Sequence, residues 1–241
     1  MTRVAFQRHL ATIAQDLSRE LKPVRPGRVV TCTYDPLDYA WKAHRAYLAL
    51  ARRRPRALLL GMNPGPFGMV QTGVPFGEVD AVRRFLGISS GVAAPLETHP
   101  KRPVLGFECT RSEVSGRRFW GLMERVFGTR ERFFRSAFVW NWCPLAFTAR
   151  SGANITPDKI PAAARVRIER ACDRALGRVI EVMDPRMVIG VGAFARDAGL
   201  RVTKATLPVH MVLHPSPASP AANRGWERQA RAQFRACGFL T

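Results

Sequence analysis

The sequence has few cysteines and no long apolar run. Its five cysteines are widely spaced over 241 residues and form no C-x-x-C pair, which argues against a disulfide framework, a structural zinc site or an iron–sulfur cluster. The longest apolar runs, residues 57–62 and 187–195, are far below the roughly 18 residues that a membrane-spanning helix needs. Charged side chains at Arg8 and Asp16 interrupt the N-terminal apolar stretch and argue against a secretory signal. We therefore expect reduced thiols, no membrane association, and a location in the cytoplasm or nucleoid of a bacterium or the nucleus of a eukaryote.

Acidic residues are also scarce. There are 18 Asp and Glu against 38 Lys and Arg, which gives a formal net charge of +20. Only five of the basic residues are lysines, so 33 are arginines. Such an excess of positive charge is typical of proteins that bind nucleic acid, although a GC-rich genome also enriches arginine. With 46% hydrophobic residues, the chain is long enough for one globular domain with a sizeable core.

Short apolar runs alternate with helical sequence along the chain. Runs at residues 56–61, 136–140, 186–191 and 209–213 read as buried strands. Helical stretches are predicted at about residues 3–21, 37–53, 78–86, 115–127, 162–183 and 194–203. Strands joined by helical crossovers predict a parallel sheet covered on both faces, an α/β fold in the form of a three-layer α/β/α sandwich with four central strands. Residues 1–30 are predicted to form an N-terminal helical arm of unassigned role, and residues 31–241 the main domain.

Three predicted strands end in unusual polar turns. Asn63 follows the first strand in a Gly- and Pro-rich loop, Asn141 follows the second, and His214 follows the last, before Pro-Ser-Pro. Because ligands bind beyond the carboxyl ends of parallel strands, we expect these three side chains to meet in one pocket. Each residue taken singly is also a common turn former. The aromatic rings of Phe67 and Phe76, in the first loop and just beyond it, are candidates for stacking on a planar base or for ordinary core packing.

Two other patterns carry less weight. Gly190-Val191-Gly192-Ala193-Phe194-Ala195 fits a dinucleotide-binding fingerprint, but no acidic residue follows at the spacing that would hold a ribose. We interpret these glycines as tight packing between a strand and a helix. The five histidines lack the spacing of metal ligands, so no metal site is predicted.

Several long motifs in order resemble the single-strand-selective monofunctional uracil-DNA glycosylases. They cover roughly residue 34 to the C-terminus and comprise Gly61-Met62-Asn63-Pro64-Gly65-Pro66-Phe67-Gly68-Met69 with its continuation to Val79, Ser112-Glu113-Val114-Ser115-Gly116, Phe119-Trp120-Gly121, Asn141-x-Cys143-Pro144-Leu145, Asn154-Ile155-Thr156-Pro157, His214-Pro215-Ser216-Pro217 and Asn223-Arg224-Gly225-Trp226-Glu227. The resemblance implies the uracil-DNA glycosylase fold. It also implies an enzyme that removes uracil, and 5-hydroxymethyluracil-type oxidised uracils, from single- and double-stranded DNA without a metal, a cofactor or a strand-cleaving lyase step. We also expect the protein to be a monomer.

The resemblance also assigns roles to residues. Asn63 positions the attacking water and His214 stabilises charge on the departing base. Asn141 reads the uracil edge, Phe76 stacks on the ring, and Met62 and Gly65 shape the pocket floor. A wedge that contacts DNA is expected from Pro215, Ser216, Pro217, Ala218, Asn223 and Arg224.

One departure from the family is visible, since Ala218 stands where the family usually has arginine at the start of the wedge. We expect weaker penetration of duplex DNA, with Arg224 and other arginines compensating through phosphate contacts. Three alternatives stay open at this point. They are a glycosylase acting mainly on deaminated purines such as xanthine or hypoxanthine, a non-catalytic sensor of damaged or single-stranded DNA, and a dinucleotide-dependent enzyme based on Gly190 and Gly192.

Overall fold

The computed structural model describes residues 1–240, which form seven strands and eleven α-helices. The strands are β1 (Cys32–Tyr34), β2 (Ala57–Gly61), β3 (Ala137–Asn141), β4 (Ala146–Thr148), β5 (Asn154–Ile155), β6 (Val188–Val191) and β7 (Val209–Val212). The helices are α1 (Arg3–Leu21), α2 (Pro36–Tyr39), α3 (Trp41–Leu48), α4 (Met69–Thr72), α5 (Val79–Ala81), α6 (Val114–Phe127), α7 (Arg130–Ser136), α8 (Ala162–Met183), α9 (Ala193–Thr203), α10 (Pro220–Asn223) and α11 (Trp226–Ala236).

Four parallel strands form the central sheet, in the order β3-β2-β6-β7. Every residue of β2, β3 and β6 is buried, as expected for parallel strands covered on both faces. Two groups of helices pack around the sheet. In one, α9 packs on β6 and β7, α8 packs on α9, and α1 packs on α8; in the other, α7 contacts β3, α11 contacts β7, and α6 contacts both α7 and α11. The predicted four-stranded parallel sheet between helices is therefore confirmed.

The register of this sheet brings the strand ends together. Gly61 at the end of β2 pairs with Asn141 at the end of β3, and Val191 at the end of β6 pairs with Val212 at the end of β7. The loops that follow these strands consequently leave the sheet at one edge, where open parallel sheets bind ligands.

A second, antiparallel sheet was not predicted. Its order is β1-β4-β5, and its strands have only two or three residues. Such short strands show no readable alternation of apolar and polar residues, so the sequence pattern misses them. This sheet places residues 154–156 near the edge at which β3 ends.

Two predicted helices differ from the observed ones. The helix predicted at residues 37–53 is two helices, because Ala40 leaves the helical region (φ −102°, ψ 23°) where its carbonyl and methyl group meet Gly73. The helix predicted at residues 78–86 begins as α5 and continues as a π-helix over Val82–Leu86. Helical spacing of apolar residues persists through both irregularities, so neither is visible as a break in the pattern.

Helix α1 lies within the predicted arm and packs along α8. Thr2 caps its N-terminus by accepting a hydrogen bond from the Ala5 amide. Its apolar face, which includes Phe6, Leu10 and Leu17, belongs to the same core cluster as the central sheet. None of the helices within residues 1–240 has both the length and the apolarity needed to cross a bilayer.

Candidate active site

A pocket of about 560 Å³ opens at the edge where β2, β3 and β7 end. Asn63, Asn141 and His214 all line it, which confirms the predicted convergence of the three strand ends. The other lining residues are Met62, Pro64, Gly65, Pro66, Phe67, Phe76, Arg111, Ser112, Glu113, Val114, Ser115, Asn154, Thr156, Ser216 and Pro217.

The loop after β2 is tied to the loop after β3 through the backbone. Trp142 donates a hydrogen bond to the Gly61 carbonyl at 2.9 Å, and Cys143 donates one to the Met62 carbonyl at 2.8 Å. The Asn63 amide nitrogen makes only a long contact, 3.4 Å, to the carbonyl of Pro64. Its amide oxygen has no protein donor among the hydrogen bonds of residues 1–240, so it is available to accept one from a water molecule.

Asn141 is buried at the base of the pocket, with 6% of its surface exposed. Its amide nitrogen lies 3.2 Å from the Met69 sulfur. A Cβ atom at Gly61 would lie only 2.3 Å from the Asn141 amide oxygen, so glycine is required at the end of β2. These contacts fix the planar amide in one orientation, which suits it to reading the edge of a flat ligand.

Phe76 forms an aromatic wall of the pocket in an unusual backbone conformation. Its φ angle is +52°, a region that L-residues other than glycine, asparagine and aspartate rarely adopt and that costs of order 1 kcal/mol or more. The ring stacks on that of Phe119, with centroids 4.6 Å apart and planes 17° from parallel. Backbone strain that is held in place by packing in this way is common at functional sites.

His214 is held neutral and in one tautomer. The backbone N–H of Ser216 donates to His214 Nδ1 at 3.1 Å, so the hydrogen of the neutral ring resides on Nε2. Burial lowers the pKa of His214 from 6.5 to about 4. At neutral pH the ring is consequently an uncharged hydrogen-bond donor through Nε2.

The two glycines of the dinucleotide-like pattern have different structural roles. A Cβ atom at Gly190 would lie 2.2 Å from the Arg196 amide nitrogen, where β6 meets α9. Gly192 has a φ of +95°, and a Cβ atom there would lie 3.2 Å from that of His214. The interpretation as close strand-to-helix packing holds for Gly190, whereas Gly192 makes room for His214.

The segment after His214 is braced by helix α6. Arg118 donates one hydrogen bond to the Pro215 carbonyl at 3.0 Å and another to the Asn223 side-chain oxygen at 3.1 Å. Asn223 in turn donates to the Pro217 carbonyl at 2.8 Å. This arrangement, which we call the Arg118 brace, fixes the turn between β7 and α10.

The mouth of the pocket is basic. The guanidinium of Arg111 lies 4.1 Å from the centroid of the Phe67 ring, and that of Arg102 lies 5.2 Å from the same centroid. Arg224 is exposed just after α10. Neither Arg111 nor Arg224 forms an ion pair within residues 1–240, so both are free to meet an anionic ligand.

Comparison with known proteins places the chain in a family. Residues 49–235 match the Uracil DNA glycosylase superfamily. The single-strand selective monofunctional uracil DNA glycosylase of Bos taurus is 47% identical over 228 residues, which cover 93% of this chain and 84% of the bovine protein. The corresponding protein of Rattus norvegicus is 48% identical, over 93% and 82% of the two chains. The chain belongs to this glycosylase family.

The fold agrees with that of a solved structure. The crystal structure of wild-type SMUG2 from Pedobacter heparinus superposes with a TM-score of 0.64 and covers 94% of this chain and 98% of that one, at 15% sequence identity. At that identity the likeness shows the fold alone, and it supports the predicted uracil-DNA glycosylase fold.

The residues that the family resemblance singled out fall into two sets. Those that line the pocket are Met62, Asn63, Gly65, Phe76, Asn141, His214, Ser216 and Pro217. Pro215 is buried behind it, whereas Ala218, Asn223 and Arg224 are exposed beyond the mouth of the pocket. Their individual roles in the glycosylase family stay predictions for this chain.

The structure adds pocket residues to which the sequence assigned no role. Glu113 and Ser112 enter from the segment before α6, Asn154 enters from β5, and Thr156 enters from just after that strand. All four lie in motifs that resemble those of the glycosylase family, and this resemblance is the signal in the sequence that could have identified them as pocket residues. Residues 1–240 contain no group of three His, Cys, Asp or Glu side chains placed to hold a metal ion.

Proposed function

We propose that this chain is a monofunctional uracil-DNA glycosylase, which extrudes uracil from DNA and hydrolyses the N-glycosidic bond to leave an abasic site for base excision repair. The observation that carries the proposal is that Asn63 and the Nε2 donor of His214 line the same pocket. Family membership supplies the chemistry, and the pocket supplies a place for one base. A binding module would need neither group, which disfavours the sensor alternative.

The base binds between fixed surfaces. A base within a duplex is inaccessible, so it must rotate out of the stack at a cost of a few kcal/mol. We infer that Phe76 stacks on the ring and that Asn141 bonds its polar edge. These contacts and the segment fixed by the Arg118 brace offset the cost of extrusion.

Bond cleavage leaves negative charge on the base. The electron pair of the C1′–N1 bond departs with uracil, and His214 Nε2–H donates a hydrogen bond to the base oxygen on which charge accumulates. A neutral donor held in place before the reaction contributes roughly 10²–10³ in rate. Asn63 accepts a hydrogen bond from a water whose oxygen bonds to C1′, and the proton that this water releases balances N1 protonation of uracil.

DNA binding follows from the charge and from the exposed arginines at the mouth. Arg111 lines the pocket and Arg224 is exposed after α10, and we propose that both contact phosphates of the DNA that carries the extruded nucleotide. We propose that a single chain suffices, because residues of one chain supply the whole pocket. The proposed activity also places the protein with chromosomal DNA, in the nucleoid or cytoplasm of a bacterium or in a eukaryotic nucleus.

The substrate range is tested by base release. Oligonucleotides carrying one uracil, 5-hydroxymethyluracil, xanthine or hypoxanthine are incubated with the protein, single-stranded and paired, and alkali then reveals abasic sites. We expect uracil and 5-hydroxymethyluracil to be released, with strand breaks only after alkali. Faster release of xanthine than of uracil would favour the deaminated-purine alternative, and binding without release would favour the sensor.

A further inference from the structure

Glu113 brings a carboxyl group into the pocket from outside the loop that carries Asn63. It stands immediately before α6, as the N-cap residue, and makes no side-chain hydrogen bond to the first turn of that helix. Glu113 lines the pocket together with Asn63 and His214. The carboxyl group lies at the wall of the pocket, between the first turn of α6 and the loop that follows β2.

Two glycines create the space that this carboxyl occupies. A Cβ atom at Gly65 would lie 2.4 Å from Glu113 Oε1, and a Cβ atom at Gly68 would lie 2.4 Å from Oε2. On the helix side, a Cβ atom at Gly116 would lie 2.9 Å from Oε2. A side chain at Gly65 or Gly68 would force the carboxyl to move, so the position that Glu113 takes depends on the absence of a Cβ atom at both glycines.

The carboxyl has no cation to stabilise a negative charge. Oε2 is enclosed and has no hydrogen-bond partner within residues 1–240. Residues 65–68 carry no ionisable side chain, and Arg111 lies on the Phe67 ring. The charge that acts on the carboxyl is that of Glu78, whose oxygens accept hydrogen bonds from Ser112 Oγ and the Ala81 amide.

These surroundings favour the protonated form. Burial raises the pKa of Glu113 from 4.5 to about 7, the Gly116 amide opposes the rise, and the charge of Glu78 adds to it. A protonated carboxyl both donates and accepts a hydrogen bond, whereas a carboxylate only accepts. Below about pH 7 the pocket therefore holds a second neutral donor beside His214.

We propose that Glu113 is a further catalytic residue, which in its protonated form donates a hydrogen bond to an oxygen of the extruded base. The inference rests on the proposed glycosylase function. The departing base becomes an anion, so a donor at this position stabilises it, whereas an ionised Glu113 repels it. No proton is transferred in this step. Base release is consequently fastest below pH 7 and declines as Glu113 ionises.

The test is the pH profile of the single-turnover rate at saturating enzyme, on a single-stranded uracil oligonucleotide. Wild type is expected to lose rate above about pH 7, approaching tenfold per pH unit. Glu113→Gln keeps a neutral donor and is expected to be within a few-fold of wild type at pH 6 and flat to pH 9. Glu113→Ala is expected to be slower by roughly 10²-fold at pH 6. Glu97→Gln, an exposed glutamate remote from the pocket, is the matched control and should follow wild type.

The outcomes separate this inference from the proposed function. The role of Glu113 would be overturned, with uracil excision left intact, by either of two results. One is a rate of Glu113→Gln that declines above pH 7 as that of wild type does. The other is a loss of rate at pH 6 as large for Glu113→Gln as for Glu113→Ala. Wild type releasing no uracil at any pH would overturn the proposed function itself. Thermal unfolding shows whether Glu113→Ala is folded. If Glu113→Ala is unfolded, the pH profile of Glu113→Gln still decides between the two outcomes.

Discussion

The ring of Phe76 stacks directly on the ring of Phe119, with centroids 4.6 Å apart. Phe119 is fully buried on α6 and meets Trp120 edge to face at 5.2 Å. The Trp120 indole N–H donates to the Pro75 carbonyl at 3.1 Å. The core thus supports the aromatic wall of the pocket from below and holds Phe76 at its positive φ angle.

Phe119→Leu is expected to slow uracil excision by roughly twofold to tenfold, the equivalent of one lost aromatic pair. The reason is that Phe76 loses the ring that keeps it parallel to the base. Phe134→Leu is the matched control, since Phe134 is also buried but packs on Tyr47 and Phe138. Unfolding in urea and single-turnover kinetics are measured on both. If Phe119→Leu and Phe134→Leu lose the same stability and the same excision rate, Phe119 has no specific role in supporting Phe76.

Arg118→Ala is expected to reduce excision from duplex DNA by about tenfold and to affect single-stranded DNA less. Loss of the Arg118 brace frees the segment that follows His214, and only a duplex requires that segment to be rigid when the base leaves the stack. Arg117→Ala removes the same charge from the exposed neighbouring residue without touching the brace. Identical duplex-to-single-strand ratios in the two variants would argue that charge alone matters.

Ala218→Arg restores the residue that the family usually has at this position. Ala218 is exposed beyond the pocket mouth, and its amide donates to Ser216 Oγ at 3.1 Å, so a longer side chain has room. We expect faster release of uracil from double-stranded DNA and an unchanged rate on single strands. Unchanged rates on both substrates would show that Ala218 does not limit duplex penetration.

The neutral state of His214 predicts a pH-dependent stability. Its pKa is about 4 in the folded protein against 6.5 as the ordinary value, so between these values the unfolded chain binds the extra proton. Stability is therefore lost as pH falls from 6.5 toward 4. Between pH 7 and pH 5.5 the free energy of unfolding of wild type should fall by about 1 kcal/mol more than that of His214→Asn. Urea unfolding at the two pH values measures both free energies. Equal decreases in the two proteins would contradict the lowered pKa of His214.

The sequence predicts the convergence of Asn63, Asn141 and His214 because each follows an apolar run, and parallel strands end at the same edge. The contacts that support these side chains were not predictable in the same way. Arg118 lies 97 residues from Pro215 in the sequence. A hydrogen bond between residues so far apart depends on how the helices pack, which the local sequence pattern does not show. Glu113 likewise shows no pattern of its own, since its enclosure depends on Gly65 and Gly68 from a distant loop.

Local irregularities were missed for a different reason. The strands β1, β4 and β5 are too short for an alternation to be seen, and the positive φ angle of Phe76 is imposed by its surroundings rather than by its own preference. Phe76 and Asn154 of β5 line the pocket, where structure that serves function is expected to override propensity.

The catalytic roles of Asn63 and His214 are tested by measuring uracil release by Asn63→Ala and His214→Ala beside wild type, on single-stranded and paired oligonucleotides, with alkali used to reveal abasic sites. Wild type should release uracil without breaking the strand before alkali. Each substitution should slow release by roughly 10²–10³-fold while binding of the intact oligonucleotide is retained. Release that neither substitution slows would contradict the account, because it would place the chemistry outside this pocket.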